Sequence, residues 1–132
     1  MNPRLLLDTH ILVRWLSDFK KLSREQRRVI EVSLKRGECL GVSAMTLLEV
    51  VLLTYGRRIT AGLDEFLDEL DNNPAVRILP ITTDVAREMG SLGDSLRDPG
   101  DRVIVATARI HRLRLLTADQ RIIASNLVSV IE

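Results

Sequence analysis

The residues of this chain best suited to chemistry are five carboxylates. Asp8 and Asp119 each follow a short apolar run, and Glu49 lies within a third one. Asp98 and Asp101 share the segment DPGD. Acids brought together in one place repel one another, and Mg²⁺ or Mn²⁺ removes that repulsion because both ions prefer oxygen ligands. Ions bound in this way can generate hydroxide from water and stabilise a leaving oxygen, as phosphodiester hydrolysis requires.

Glu49 is the least expected of the five because it stands in the apolar run TLLEVVLL. On a helix it would share a face with Met45 and Leu52, and that is the face a globular protein buries. A buried carboxylate costs several kcal/mol unless it is paired, hydrogen-bonded, protonated or bound to a metal. The sequence leaves two explanations open for Glu49, a metal-site acid or a buried ion pair with Arg102 or Arg57.

The aspartates have a simpler explanation when each is taken singly. Asp8, Asp98 and Asp119 each precede a predicted helix, and Asp is a favoured helix N-cap. Asp101 falls in the first turn of a predicted helix, where a negative charge is favourable. Only their grouping, together with Glu49, indicates a functional site.

Short apolar strands alternate with helices along the chain, which predicts an α/β fold with a parallel sheet covered on both sides. The helix of Glu49 should end near Gly56, and a further helix should run from about Thr60 to Asn72. A parallel sheet places ligand sites beyond the carboxyl ends of its strands, so Asp8 and Asp119 should meet there. The predicted strands lie in RLLL, CLGVS, VRILPI, RLLT and LVSVI.

Length and composition indicate one domain over residues 1–132. The 19 Lys and Arg against 18 Asp and Glu leave a net charge of +1, which demands neither a nucleic acid nor a membrane as partner. The lone Cys39 excludes an intramolecular disulfide and a cysteine zinc site. No segment approaches the roughly 20 apolar residues of a membrane span, and the N-terminal apolar stretch is too short for a signal peptide. We therefore expect a cytoplasmic protein.

Four motifs follow one another over nearly the whole chain: LLLDTHILVRWL, SAMTLLEV, DPGDRVIVATA and LLTADQRI. Each alone is a weak signal. In this order and over this length they make the chain resemble the PIN-domain ribonucleases, and most closely the VapC-type toxins of toxin-antitoxin pairs. The resemblance implies a three-layer PIN-like fold with a mainly parallel five-stranded sheet between helices.

The resemblance also implies a site and partners. The residues that match the family's catalytic, metal-holding acids are Asp8, Glu49, Asp101 and Asp119. In the family these acids hold Mg²⁺ or Mn²⁺ and cleave RNA. Asp98 and Thr117 match positions that support the site. Toxins of this type are held inactive by a VapB-type antitoxin and associate as homodimers, so we expect both for this chain.

Some residues near the motifs are ambiguous or depart from the family pattern. Arg102 directly follows an acid and could approach a phosphate or neutralise the cluster. His10, two residues after Asp8, could act as a general base, although the family contains the same DTH motif without a catalytic role assigned to its histidine. Gly100 stands where the family often has alanine, and Leu48 where it often has an aromatic residue. Neither departure is expected to touch an acid.

Other protein classes fit this sequence less well. A phosphoacceptor signalling domain needs a lysine late in the chain, and the last one here is Lys35. A structure-specific DNA nuclease needs long insertions, for which the chain has no room. A non-catalytic PIN-like module that binds RNA or a protein partner stays open as the alternative, because a full set of acids does not prove turnover.

Overall fold

The computed structural model describes residues 2–55 and 62–132. Its strands are β1 (Leu5–Leu7), β2 (Leu40–Ser43), β3 (Val76–Leu79), β4 (Arg114–Leu116) and β5 (Val130–Ile131). Its α-helices are α1 (Thr9–Ser17), α2 (Arg24–Lys35), α3 (Ala44–Thr54), α4 (Leu63–Asn72), α5 (Thr83–Gly90), α6 (Pro99–His111) and α7 (Gln120–Ser125). A single turn of 3₁₀ helix at Phe19–Lys21 separates α1 from α2.

The five strands form one sheet in the order β3-β2-β1-β4-β5, and every neighbouring pair is parallel. Strand β1 is central, with Leu6 opposite Gly41 of β2 on one side and Leu115 of β4 on the other. Its three leucines are buried, as expected of a strand that is covered on both faces. The predicted parallel five-stranded α/β fold is confirmed.

Side chains of β1 alternate between two hydrophobic clusters. Leu6 belongs to the cluster that includes Ile104 of α6, whereas Leu5 and Leu7 belong to the cluster that includes Ile30 of α2. This alternation is the period of two that a strand imposes on its side chains. Because helices occupy both faces of the sheet, a ligand site is expected at the ends of the strands.

Several helices begin at the side-chain caps that the sequence predicts. Ser23 and Gln26 form a reciprocal capping box at the start of α2. Asp8, Asp98 and Asp119 are the N-caps of α1, α6 and α7, and each accepts a hydrogen bond from a backbone N–H of its own helix. Capping therefore fixes three of the acids relative to the helices that follow them.

The predicted boundaries agree with the structure where residues are described. Helix α3 extends to Thr54, and α4 ends at Asn72 as predicted. Gly56 and Thr60, where one predicted helix should end and the next begin, lie outside the described residues. Across residues 2–55 and 62–132, none of the helices has the length and apolar character needed to cross a membrane.

We predict that Gly41→Ala destabilises the fold. A Cβ at this position would lie 3.0 Å from the Leu5 carbonyl oxygen and 3.3 Å from Cδ1 of Leu79. The carbonyl belongs to the neighbouring strand and cannot retreat, so the variant should lose about 1–3 kcal/mol in urea denaturation. Gly90→Ala is the matched control, because its Cβ would meet nothing within 4 Å. Equal stability of the two variants would contradict the packing described for β2.

Candidate functional site

A cavity of about 420 Å³ opens where β1 and β4 end. All the acids singled out from the sequence line it, namely Asp8, Glu49, Asp98, Asp101 and Asp119. The remaining lining residues are Thr9, His10, Leu52, Leu53 and Arg121. The structure thus brings together carboxylates that lie up to 111 positions apart in sequence (119 − 8). Their meeting point is the carboxyl edge of the sheet, where open α/β folds bind ligands.

One buried hydroxyl connects the acids that follow β1 and β4. Thr117 Oγ1 donates to Asp8 Oδ2 at 2.7 Å and accepts from the backbone N–H of Asp119 at 3.0 Å. The other oxygen of Asp8, Oδ1, accepts from the backbone N–H of Thr9 at 2.8 Å. Asp8 is only 4% exposed, yet both of its oxygens have donors. Thr117 therefore contacts the side chain of one acid and the backbone of another.

Glu49 is held by Thr9, which is in turn held by Thr46. Thr9 Oγ1 donates to Glu49 Oε1 at 2.9 Å and lies 3.0 Å from Thr46 Oγ1. Because Thr9 has a single hydroxyl proton and donates it to the carboxylate, Thr46 must be the donor in the second bond. Helix α3 thus carries Glu49 and, one turn earlier, Thr46, whose hydroxyl fixes Thr9, the hydrogen-bond partner of Glu49.

The expectation that Glu49 faces the protein core is wrong. Glu49 is half-buried, and its helical neighbours Leu52 and Leu53 are 63% and 54% exposed. This face of α3 lies against the acid cavity rather than against the sheet. The apolar residues of α3 therefore line a cleft as well as the core. Helical periodicity alone cannot tell a face that lines a cleft from a face that packs in the core.

The structure also contradicts the roles suggested for Arg102. Its guanidinium donates to the carbonyl oxygens of Met89, Gly93 and Leu96 at 2.5 to 2.7 Å. It neither pairs with Glu49 nor faces the acid cavity. The physical reason is that the end of α5 and the loop after it leave carbonyls without helical partners, and a planar guanidinium can bind several at once. Arg57, the other suggested partner of Glu49, lies outside the described residues.

Gly100 does touch the acids, contrary to the sequence expectation. A Cβ at position 100 would lie 3.2 Å from Glu49 Oε2 and 3.3 Å from Asp98 Oδ2. The missing side chain lets the Glu49 carboxylate approach the first turn of α6. The positive end of that helix favours a negative charge there.

Burial and mutual repulsion raise the pKa of two of the acids. Burial raises the pKa of Glu49, and the charges of Asp8 and Asp98 raise it further, while the hydrogen bond from Thr9 opposes them. The pKa of Asp101 is raised to about 7, first by burial and then by the surrounding carboxylates. The cavity therefore favours whatever lowers its negative charge, either a proton or a cation.

His10 has a structural task in this cavity. Its Nε2 accepts from the backbone N–H of Ala118 at 3.0 Å, and its Nδ1 lies 3.6 Å from Asp8 Oδ2. An acceptor Nε2 requires a neutral ring with its proton on Nδ1. Burial lowers the pKa of His10, which favours that neutral form. The nitrogen that a general base would need is thus already bound to the loop before Asp119.

The sequence did not point to two lining residues of the cavity, Thr9 and Arg121, or to Thr46, which lies buried behind Thr9. A signal existed for Thr46, because it lies three residues before Glu49 and must share its helix face. Thr9 is adjacent to Asp8, but a small polar residue after a cap is too common to single out. Arg121 is the second residue of α7, and its Nε lies 3.6 Å from Asp119 Oδ1.

The donor set suits a hard divalent cation, because the acids and hydroxyls at the cavity offer only oxygen. In the part of the chain that the structure describes, no three His, Cys, Asp or Glu side chains stand close enough together to hold one ion. Asp8 and Glu49 each keep a hydrogen-bonded position, while Asp101 is held through its backbone N–H by Asp98 Oδ2 at 2.9 Å. Coordination would therefore require carboxylate side chains to rotate toward one another.

We predict a pH dependence of stability from Asp101. The carboxyl titrates at about 7 in the folded protein, against 3.8 for an ordinary Asp. Between these values the folded state binds more protons, so the contribution of this group is fully present below 3.8 and is lost as the pH rises to about 7. In chelator, Asp101→Asn should therefore gain stability relative to the parent across that range in urea denaturation. The exposed Asp68→Asn is the matched control, and a pH-independent difference between Asp101→Asn and the parent would contradict this account.

The sequence of this chain matches a protein-family model and a curated relative. The family model described as PIN domain matches residues 5–125. The chain is 33% identical over 121 residues to Ribonuclease VapC22 of Mycobacterium tuberculosis, covering 89% of this chain and 88% of that protein.

Solved structures share the fold at lower identity. FitAcB from Neisseria gonorrhoeae superposes with a TM-score of 0.69 at 23% identity, covering 97% of this chain and 96% of that one. VapBC2 from Rickettsia felis, bound to a DNA fragment from its promoter, gives a TM-score of 0.70 at 17% identity, covering 99% and 98%. With the family model over nearly the whole chain and a VapC relative above 30% identity, this chain belongs to the PIN-domain family, among its VapC-type members.

Proposed function

We propose that this chain is a divalent-metal-dependent endoribonuclease, the toxin of a VapBC-type pair, working as one PIN domain. Membership of the VapC-type family and the ribonuclease name of its relative support the activity. The observation that carries the proposal for the site is the convergence of Asp8, Glu49, Asp101 and Asp119 on one cavity. These four acids would hold Mg²⁺ or Mn²⁺, which when bound supplies an activated water and stabilises the leaving oxygen.

The protein's own groups would prepare the site for that chemistry. Thr117 orients Asp8 and the backbone of Asp119 together, so two acids from neighbouring strands keep a fixed spacing. Thr9 holds one oxygen of Glu49 and leaves the other directed toward α6. These contacts would anchor the acids beside the ion, so that coordination requires only rotation of their carboxylates, and a misplacement of about 1 Å can cost about 100-fold in rate.

We also propose a protein partner for this site. Four large apolar side chains of α3 are exposed: Leu52 and Leu53 line the acid cavity, and Leu48 and Val51 lie on the same helix facing α4. An exposed apolar patch rimmed by charge is typical of a protein interface. A VapB-type antitoxin or a second copy of the chain would cover it, as the family membership leads us to expect.

Glu49→Gln should abolish cleavage of a mixed RNA pool in Mg²⁺ or Mn²⁺. The loss should be at least about 100-fold, because even partners of metal ligands cost about 10–100-fold when changed. The fold should survive, since an amide oxygen can still accept from Thr9. Glu31→Gln, on the exposed face of α2, is the matched control and should cleave like the parent.

Two results would count against the ribonuclease. A folded Glu49→Gln that cleaves as fast as Glu31→Gln would remove Glu49 from the site. No cleavage by the parent with any divalent ion, once a co-purifying inhibitor is excluded, would favour a non-catalytic binding module.

His10→Ala should raise the Mn²⁺ concentration needed for half-maximal cleavage by about tenfold. The reason is that Ala118 loses the acceptor of its N–H, so the loop that carries Asp119 is no longer fixed. His10→Gln can place an amide oxygen near the position of Nε2 and should recover most of the metal affinity. An unchanged metal requirement in His10→Ala would contradict the positioning role, and failure of Gln to rescue would point to the ring itself.

A further inference from the structure

A second cavity continues the groove beyond the acids. It has a volume of about 460 Å³ and shares Asp98, Asp101 and Arg121 with the acid cavity. Its far wall is formed by the loop before α6 and by α7, including Ser95, Arg97 and Ser125. The size lies within the range of about 300–1,000 Å³ that accommodates small organic ligands. A polymer cleaved at the acids would have to leave the site along this groove or the opposite way.

Two guanidinium groups flank the second cavity. The Arg121 side chain is 77% exposed, with its Nε 3.6 Å from Asp119 Oδ1. Arg97 is exposed and forms no ion pair with any residue that the structure describes. The ion pair of Arg121 with Asp119 is exposed on the arginine side, and such a pair contributes little to stability. Both arginines are thus free to bind an anion at the end of a groove that is otherwise acidic.

The wall that carries Arg97 is held rigidly. Arg102 binds the carbonyl oxygens of Gly93 and Leu96 in the same loop, and the Leu96 side chain is 2% exposed. Arg97 directly follows this anchored residue, so its backbone position is fixed before any ligand arrives. Preorganisation of this sort lowers the cost of binding. The half-buried guanidinium of Arg102 thereby acts indirectly on the second cavity.

The lining indicates which part of a nucleic acid would be bound. None of the described residues that form the second cavity is aromatic, so a base cannot stack there on an aromatic ring. Guanidinium groups bind phosphate oxygens with two parallel hydrogen bonds and read no sequence in doing so. The chemistry therefore fits a backbone phosphate rather than a base edge.

We propose that the second cavity binds the nucleotide next to the scissile bond of single-stranded RNA, with Arg97 and Arg121 contacting its phosphate. The proposal rests on the ribonuclease function proposed above. It makes Arg97 a substrate-binding residue that contributes to affinity for RNA and not to the chemical step.

The test compares Arg97→Ala and Arg97→Lys with Arg24→Ala, a matched control at an exposed arginine of α2 that lines neither cavity. Cleavage of a labelled single-stranded RNA in Mn²⁺ gives kcat and KM. Fluorescence anisotropy of the same RNA in chelator, over a series of salt concentrations, gives Kd and its salt dependence. These two readouts separate binding from turnover.

Arg97→Ala should raise both KM and Kd about tenfold, as the loss of one charged hydrogen bond predicts. Its kcat should stay that of the parent, and the slope of log Kd against log salt should fall by about 0.7. The KM and Kd of Arg97→Lys should lie between those of the parent and those of Arg97→Ala. Arg24→Ala should match the parent in both.

Equal behaviour of Arg97→Ala and Arg24→Ala in binding and cleavage would overturn the proposal while leaving the ribonuclease function intact. A parent protein that binds RNA through Arg97 but never cleaves it would support the subsite and overturn the ribonuclease function. A fall in kcat with unchanged KM and Kd would also overturn the proposal, since it would place Arg97 in the chemical step.

Discussion

Carboxylates gathered in a cleft repel one another, and here that repulsion adds to burial and raises the pKa of Asp101 to about 7. The folded chain tolerates the cluster of negative charges because hydrogen-bond donors and a helix N-terminus at the carboxyl edge of the sheet stabilise the carboxylates. Thr117 donates to Asp8, Thr9 donates to Glu49, and the first turn of α6 lies against the Glu49 carboxylate. These contacts reduce the repulsion without removing it, and the remaining excess of negative charge favours a proton or a cation in the cleft.

The same side chains serve the fold and the site. Asp8 and Asp119 each give one oxygen to a backbone N–H at the start of a helix. A carboxylate has a second oxygen, and that of Asp8 accepts from the Thr117 hydroxyl, while both aspartates still line the acid cavity at the carboxyl edge of the sheet. Capping and ligand binding therefore do not compete, and the structural explanation of each aspartate does not exclude the functional one. Only Glu49, inside its helix, has no such structural role.

The sequence was sufficient for the elements that depend on local pattern. Apolar runs predicted all five strands, and the Ser23–Gln26 capping box predicted the start of α2. It was also sufficient for the convergence of the acids, because strand ends in a parallel sheet share one edge. It failed for side chains whose partners are distant. Arg102 binds carbonyls of the α5–α6 loop, and nothing in its neighbouring residues shows that these carbonyls lack partners.

Burial of Glu49 was misjudged for a related reason. Helical periodicity reports which residues share a face, but not whether that face meets the sheet or a cleft. Gly100 illustrates the same limit, since its contact with Glu49 joins α6 to α3 across 51 positions (100 − 49) and leaves no local signature. Such contacts are set by how helices pack on the sheet.

The most direct test of the acid cluster as a cation site is the binding of Mg²⁺ and Mn²⁺, measured by titration calorimetry in two buffers of different ionisation enthalpy and at several pH values. Binding must displace the proton that Asp101 holds near neutrality, so we expect proton release at pH 7 that disappears by about pH 9. Asp101→Asn should abolish the release. Absence of ion binding by the folded protein, or binding without proton release at pH 7, would contradict the claim that the repelling acids are arranged for a cation.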